Sequence, residues 1–170
     1  MSKFLFETSR LYVRQPQSSD IDALYAIYGD ADAMRWVGDG QPLVRSQCEE
    51  WLAVTQHNYA TRGYGMFTIV ERQSHAIIGF CGLVHPGGQA KVEIKYALHR
   101  EFWGKGFASE AASALLKYGA SAYGLQHVIA TTAPENKASH HVLLNAGMVR
   151  DELRRNEDGS FTQMFKATAS

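Results

Sequence analysis

The stretch Leu98-His99-Arg100-Glu101-Phe102-Trp103-Gly104-Lys105-Gly106-Phe107-Ala108-Ser109-Glu110-Ala111 decides how this chain is read. It leaves a strand-like segment, Val92 to Leu98, passes two glycines and enters a helical pattern from Gly106 to about Tyr123. In that pattern Ala111, Leu115, Tyr118 and Ala122 recur on one stripe, and Gly124 stands as a stop. Strand, glycine loop and helix start, in that order, make an anion site. The first turn of a helix has N–H groups without partners and carries partial positive charge, and glycines let a phosphate approach the backbone closely. A pyrophosphate suits this geometry, with Lys105 as a mobile cation at the rim. An isolated Gly-x-Gly serves equally as a plain strand-to-helix turn, so the loop alone leaves both readings open.

Upstream, Leu11 to Val13 reads as a first strand ending before Pro16. A helix opened by Ser19 and Asp22 follows, with Ile21, Leu24, Tyr25 and Tyr28 on its buried face and Gly29-Asp30 as its end. Ser46 and Glu49 match a capping box for a second helix, whose Cys48, Trp51, Leu52, Thr55 and Tyr59 share a face. Strands are expected at Met66 to Val70, Ile77 to Val84 and Val92 to Leu98, with a turn at His85-Pro86-Gly87-Gly88. Downstream come a strand at Val128 to Thr132 and a helix from about Lys137 to Ala146 closed by Gly147. Val149 to Arg155 and Phe161 to Phe165 form a hairpin about Asp158-Gly159. No Ser/Gly/Pro linker divides this order, which implies one α/β domain over 1–170 with no internal repeat.

Composition narrows the partners. Seventeen basic residues balance seventeen acidic ones, which gives no general pull toward nucleic acid or an anionic membrane. Two cysteines, Cys48 and Cys81, make no disulfide framework and read as reduced, buried small hydrophobes. The opening MSKFLFETSR lacks the apolar core of a signal peptide, and no run approaches the ~20 apolar residues of a membrane span, so a cytoplasmic address is expected. The seven histidines offer no pair three or four apart on a helix, and His140-His141 diverge by about 100° around one, so no metal site is expected.

Two familiar phosphate motifs fail on spacing: there is no third glycine for GxGxxG and no GxxxxGK followed by Ser or Thr. Instead, Trp103-Gly104-Lys105-Gly106-Phe107-Ala108 resembles the Gln/Arg-x-x-Gly-x-Gly/Ala acetyl-CoA loop of the GNAT superfamily of N-acetyltransferases. Gly106 and Ala108 match its last two fixed positions, while Trp103 replaces the usual Gln or Arg. WGKGFASEA is similar to the ribosomal-protein alanine N-acetyltransferase branch, where an aromatic there is familiar. Asn136-Lys137-Ala138-Ser139 with Leu143-Leu144-Asn145-Ala146-Gly147-Met148 resembles that branch's asparagine-to-serine helix ending in Gly-Phe, Met148 replacing the aromatic. Glu7-Thr8-Ser9-Arg10-Leu11 resembles its first strand.

The resemblance implies an acyl-CoA N-acyltransferase fold: a central mixed sheet of about seven strands flanked by four helices. It also implies that the strands ending at Leu98 and spanning Val128 to Thr132 splay apart. The pantetheine arm of acetyl-CoA would pair with backbone near Leu98 as an added strand would. The pyrophosphate would meet the amides of Gly104, Lys105, Gly106, Phe107, Ala108 and Ser109, beside Trp103. Asn136 would orient the cofactor, although an N-cap explains it equally well. Direct attack of a neutral amine needs a base, an oxyanion donor and a proton for the thiolate. Glu93, in a VEIKY segment that resembles the family's Glu-Ile-Gly-Tyr strand, is the base candidate. Ser139 is the proton donor by the same resemblance, and the oxyanion donor is the N–H near Leu98. Each has a plainer reading, Glu93 as a solvated strand-face carboxylate and Ser139 as a helix-surface serine.

The acceptor stays open. A protein N-terminal α-amine, with a pKa of about 7.7 to 8.0, demands less of its base than a lysine near 10.4. A small amine such as a polyamine, aminoglycoside or amino acid fits the same chemistry, and a non-catalytic CoA-binding sensor would keep the same glycine loop. Met34, Trp36, Tyr64 and His85 lie where the acceptor would approach, though core packing and surface exposure also account for them. The strand edges of the final hairpin offer a surface for a homodimer.

Overall fold

Residues 4–37 and 39–167 are described by a computed structural model, and the other residues of the expected 1–170 domain lie outside the described ones. The strands are β1 (Phe4–Glu7), β2 (Leu11–Arg14), β3 (Met66–Glu71), β4 (Ile77–Val84), β5 (Val92–Leu98), β6 (Val128–Thr132), β7 (Met148–Arg155) and β8 (Phe161–Ala167). The α-helices are α1 (Ile21–Tyr28), α2 (Ala31–Met34), α3 (Arg45–Arg62), α4 (Phe107–Tyr123) and α5 (Lys137–Asn145). Among the described residues the eight strands form one sheet in the order β1-β2-β3-β4-β5-β6-β8-β7. Every neighbouring pair is antiparallel except β5 and β6.

The sheet separates two cores. On one face Val92, Ile94 and Leu98 of β5 pack with Phe107, Ala111, Ala112 and Leu115 of α4 and Leu143 of α5. On the other, Leu24, Ile27 and Tyr28 of α1 and Cys48 of α3 pack on Phe80, with Val84 and Ala97 against them. The α4 stripe runs at helical spacing, and burying a Leu such as Leu115 contributes roughly 1.5–3 kcal/mol. Both cysteines are buried and free.

The mixed sheet flanked by helices is the expected fold, with several differences in count and detail. Among the described residues the sheet has eight strands where about seven are expected, because Phe4–Glu7 pairs with β2 as an added edge strand. A fifth helix, α2, follows α1 after Asp30, whose side chain accepts the Asp32 N–H at 3.0 Å. On α1 the buried residues are Leu24, Ile27 and Tyr28, and Tyr25 faces solvent. Ala122 is also exposed, past the point where the α4 stripe meets the sheet. The start of α3 is not a Ser46–Glu49 box: Val44 is the N-cap, and Gln47 reaches back so that its Oε1 accepts the Val44 N–H at 2.9 Å. Ser46 already lies inside the first turn.

A buried ion pair ties β2 to the start of α1. Arg14 donates through both terminal nitrogens to Asp20 at 2.8 and 2.9 Å, and the Thr68 hydroxyl adds a bond to Asp20 Oδ2 at 2.8 Å. Burial raises the Asp20 pKa, but the bonds from Arg14, the Gln17 N–H and Thr68 outweigh it and hold it below the ordinary carboxylate value.

Candidate active site

β5 and β6 pair in parallel only at Val92 with Val128 and at Glu93 with Ile129. Beyond Glu93 the two strands part, and this opening belongs to a cleft of about 2470 Å³. The His99 N–H donates to the Ile78 carbonyl on β4 at 2.8 Å. By the alternation of an antiparallel ladder, the amides of Leu98 and Tyr96 therefore point to the other edge, into the opening.

The glycine loop closes one end of the cleft. Gly104 and Gly106 adopt φ of 72° and 80°, a left-handed conformation that side chains other than glycine rarely take. Glu110 N–H is the first of α4 to find a helical acceptor, Gly106 at 3.1 Å, so the amides of Phe107, Ala108 and Ser109 have no intrahelical partner. A Cβ built on Gly104 would meet nothing within 4 Å, whereas one on Gly106 would lie 3.4 Å from an Arg10 nitrogen.

Arg10 is a site residue that the sequence did not reveal. Its Nε donates to Glu110 at 2.7 Å, Nη1 donates to the Lys105 carbonyl at 3.0 Å, and its guanidinium lies 4.1 Å from the centre of the Phe107 ring. Thr8 and the Arg10 N–H also donate to Glu110 Oε2. Burial raises the Glu110 pKa, but these bonds outweigh it and keep the carboxyl below its ordinary value. The Thr8 and Arg10 of the first strand motif thus hold the loop that the second motif forms.

The sequence-predicted site residues line this cleft except Lys105 and Tyr64. Lys105 is exposed, its ammonium 5.7 Å from the centre of the Phe102 ring. Trp103 donates its Nε1–H to the Leu98 carbonyl at 2.9 Å, which pins the loop to the end of β5. Phe107 is buried, its ring packed between the core and the Arg10 guanidinium.

Glu93 and Ser139 stand on opposite faces of the sheet. Glu93 pairs across with Val84, on the α1–α3 face, and is 4% exposed. Its Oε2 accepts from Thr131 Oγ1 at 2.9 Å and forms an ion pair with Lys95 Nζ at 2.9 Å. Among the described residues nothing donates to Oε1. Lys95, where the resembling motif has glycine, was not singled out from the sequence, yet it places a cation on the same face as Glu93.

Ser139 lies in the first turn of α5, where Asn136 Oδ1 accepts its N–H at 3.3 Å and so caps the helix. The Ser139 hydroxyl lies 2.6 Å from the phenol oxygen of Tyr96, another residue missed in the sequence. Burial pushes the Tyr96 pKa up to about 12, with the Ser139 bond opposing it. Of the residues expected near the acceptor, Trp36 is exposed and stacked by Arg35, while Met34 is buried in the core. The Tyr64 hydroxyl and His85 Nε2 are 2.7 Å apart, and His85 Nδ1 is 3.0 Å from the Gln89 carbonyl. A proton on Nδ1 satisfies both contacts, with Tyr64 as the other donor.

The family model of the acetyltransferase (GNAT) domain matches residues 10–149, and the chain belongs to that family. It is an acetyltransferase. The chain is 30% identical over 157 residues to an uncharacterised N-acetyltransferase, YoaA, of Bacillus subtilis (strain 168), covering 89% of this chain and 86% of that one. Among solved structures it resembles RimL, a ribosomal L7/L12 α-N-protein acetyltransferase in complex with coenzyme A, with a TM-score of 0.82 at 16% identity over 98% of each chain. It also resembles spermidine N-acetyltransferase from Vibrio cholerae in complex with CoA and spermine, with a TM-score of 0.78 at 17% identity over 95% of this chain and 97% of that one. At these identities the two structures share the fold with this chain. Among the described residues no helix is long and apolar enough to cross a membrane, and no group of three His, Cys, Asp or Glu side chains converges.

Proposed function

We propose that this protein transfers the acetyl group of acetyl-CoA to a primary amine by direct attack on the thioester, with a protein N-terminal α-amine as the acceptor class. The observation that carries this reading is the position of Glu93 and Ser139 on opposite faces of the parted strands. The amine approaches from the α1–α3 face, where the free Oε1 of Glu93 accepts its proton. The thiolate leaves toward α5, whose N-terminal partial charge favours an anion.

The cofactor's pyrophosphate would rest on the amides of Gly104 to Ser109, with Trp103 and Lys105 at the rim. Its pantetheine arm would pair with the free edge of β5 near Leu98, whose N–H would receive the carbonyl oxygen as charge develops. Asn136 would act through the turn that holds Ser139. No metal enters this scheme.

Lys95 favours an α-amine over a polyamine. Its ammonium pairs with the carboxylate that would otherwise draw a polycation, and like charges about 4 Å apart repel by about 1 kcal/mol in water and about 4 kcal/mol near a protein surface. The chain's balanced charge assigns no nucleic-acid or membrane partner, and the address proposed is the cytoplasm. The edge strand β7, with Val149 and Leu153 exposed, is the surface for a homodimer.

The test is thiol release from acetyl-CoA with a panel of free N-terminal peptides, amino acids, polyamines and aminoglycosides. Peptides should be the better acceptors, and Glu93→Gln should lower kcat/KM by about 10²-fold while CoA still binds. Binding without turnover across the panel contradicts the reading.

A further inference from the structure

We infer that Tyr96 and Ser139 form one hydroxyl relay through which the departing CoA thiolate is protonated, with Tyr96 as the positioning and proton-supplying member behind Ser139. The inference rests on the acetyl-transfer reading above and names a residue which that reading does not need.

Tyr96 projects from β5 on the same face as Ile94 and Leu98, toward α5, and its phenol oxygen lies 2.6 Å from Ser139 Oγ. The Ser139 carbonyl lies 3.4 Å from the same phenol, so both oxygens it meets belong to one residue. Ser139 is fixed in turn by the Asn136 cap on α5, and both hydroxyls line the cleft where the strands part. When the phenol donates to Ser139 Oγ, the serine proton is left free to point into the cleft.

The chemistry explains why two hydroxyls are needed. A serine that gives its proton to a thiolate becomes an alkoxide, which is far more basic than the sulfur it served. Ser139 can therefore act only if a second proton reaches its oxygen in the same event. A phenol, with an ordinary pKa near 10, is much closer to a thiol near 8.5 than any alkyl hydroxyl is. Burial raises Tyr96 to about 12, which keeps the phenol protonated at rest and still leaves it a stronger acid than an alkyl hydroxyl.

The amine nitrogen forms the new C–N bond and gives up one proton to Glu93, while the thioester C–S bond breaks, its electron pair staying on sulfur. Sulfur takes the Ser139 proton as the Tyr96 proton moves to Ser139 Oγ. Neutral CoA thiol, intact serine and a Tyr96 phenolate remain, and the phenolate recovers its proton from solvent.

Single-turnover acetyl transfer to the best amine of the panel tests this, with CoA affinity measured alongside. Tyr96→Phe keeps the ring and removes the proton. It should lower the rate by about 10²-fold with KM for acetyl-CoA and CoA affinity unchanged, and Tyr96→Phe combined with Ser139→Ala should lose no more than Ser139→Ala alone. The wild type offers a check that needs no variant: the rate in H2O/D2O mixtures should curve as for two protons in flight. A Tyr96→Phe rate within about twofold of wild type, losses that multiply in the double variant, or a linear one-proton dependence overturns the relay. Absence of wild-type turnover with every amine would instead overturn the acetyl-transfer reading itself.

Discussion

Arg10 and Glu110, separated by 100 positions in the chain, are joined by a 2.7 Å bond from Nε to a carboxylate oxygen and a 3.1 Å bond from the Arg10 N–H to the other. The same guanidinium holds the Lys105 carbonyl and covers Phe107, so the turn before β2 sets the shape of the glycine loop.

Replacing Arg10 with Lys removes a planar fork that no ammonium can copy. Arg10 is 43% exposed at its side chain, so the ion pair contributes no more than about 1 kcal/mol to global stability after solvent screening. The effect should appear in the loop instead. Calorimetry should find CoA affinity lowered roughly tenfold, with the thermal midpoint changed by only a few degrees. Unchanged affinity would show that the loop keeps its shape without the clamp.

Lys95→Gln removes the cation beside Glu93. Steady-state competition between a peptide N-terminus and spermidine should move roughly tenfold toward the polyamine, the change that about 1.4 kcal/mol of relieved repulsion produces. A ratio within twofold of wild type would separate Lys95 from acceptor choice.

Asp20→Asn leaves Arg14 buried with its charge uncompensated, and Arg14 is only 7% exposed. Urea unfolding should show a loss of about 3–5 kcal/mol. The acid limb carries the same information. The folded carboxyl lies below its unfolded value of about 3.9, so this stabilisation is complete above that pH and is lost as pH falls through and below it. The variant should lack that part of the acid loss.

His140 titrates in the opposite sense to a histidine that gains an anionic partner. Arg150 donates to its Nδ1 at 3.2 Å, so Nε2 carries the proton and meets the Ala133 carbonyl at 3.1 Å. Burial first, then the charges of Arg150 and Lys137, lower its pKa against the pull of the Ala133 carbonyl. Stability is full above the unfolded value of about 6.5 and falls as pH drops below it, by at most about 1.4 kcal/mol per pH unit. Urea titrations between pH 7 and 5 should show this slope in the wild type and a flatter one in His140→Gln.

Much of this was legible in the sequence because it is local. β4, β5 and β6 fall at the bounds that their apolar runs suggest, and the glycines before α4 mark a conformation that few other residues accept. What stayed hidden depends on distant partners. Ser46 looks the better cap, but the chain enters α3 at Val44 and Gln47 supplies the acceptor. Phe4 to Phe6 is too short a run to mark a strand until β2 lies beside it. Nothing in Tyr96 announces Ser139, 43 positions away, and Arg10 reads as an ordinary surface cation until Glu110 comes back to meet it.

The central claim is that the amides at the start of α4 grip a diphosphate and deliver a thioester to the cleft beside Glu93. Calorimetric titration of CoA into the wild type and Gly106→Val tests it most directly. At φ of 80° a valine is strained, and its Cβ would press on the Arg10 guanidinium that holds the loop. Clear binding by the wild type and a loss of at least roughly tenfold in the folded variant are predicted, as about 1.4 kcal/mol or more requires. No measurable heat from the wild type, or equal affinity in both proteins, would contradict the account.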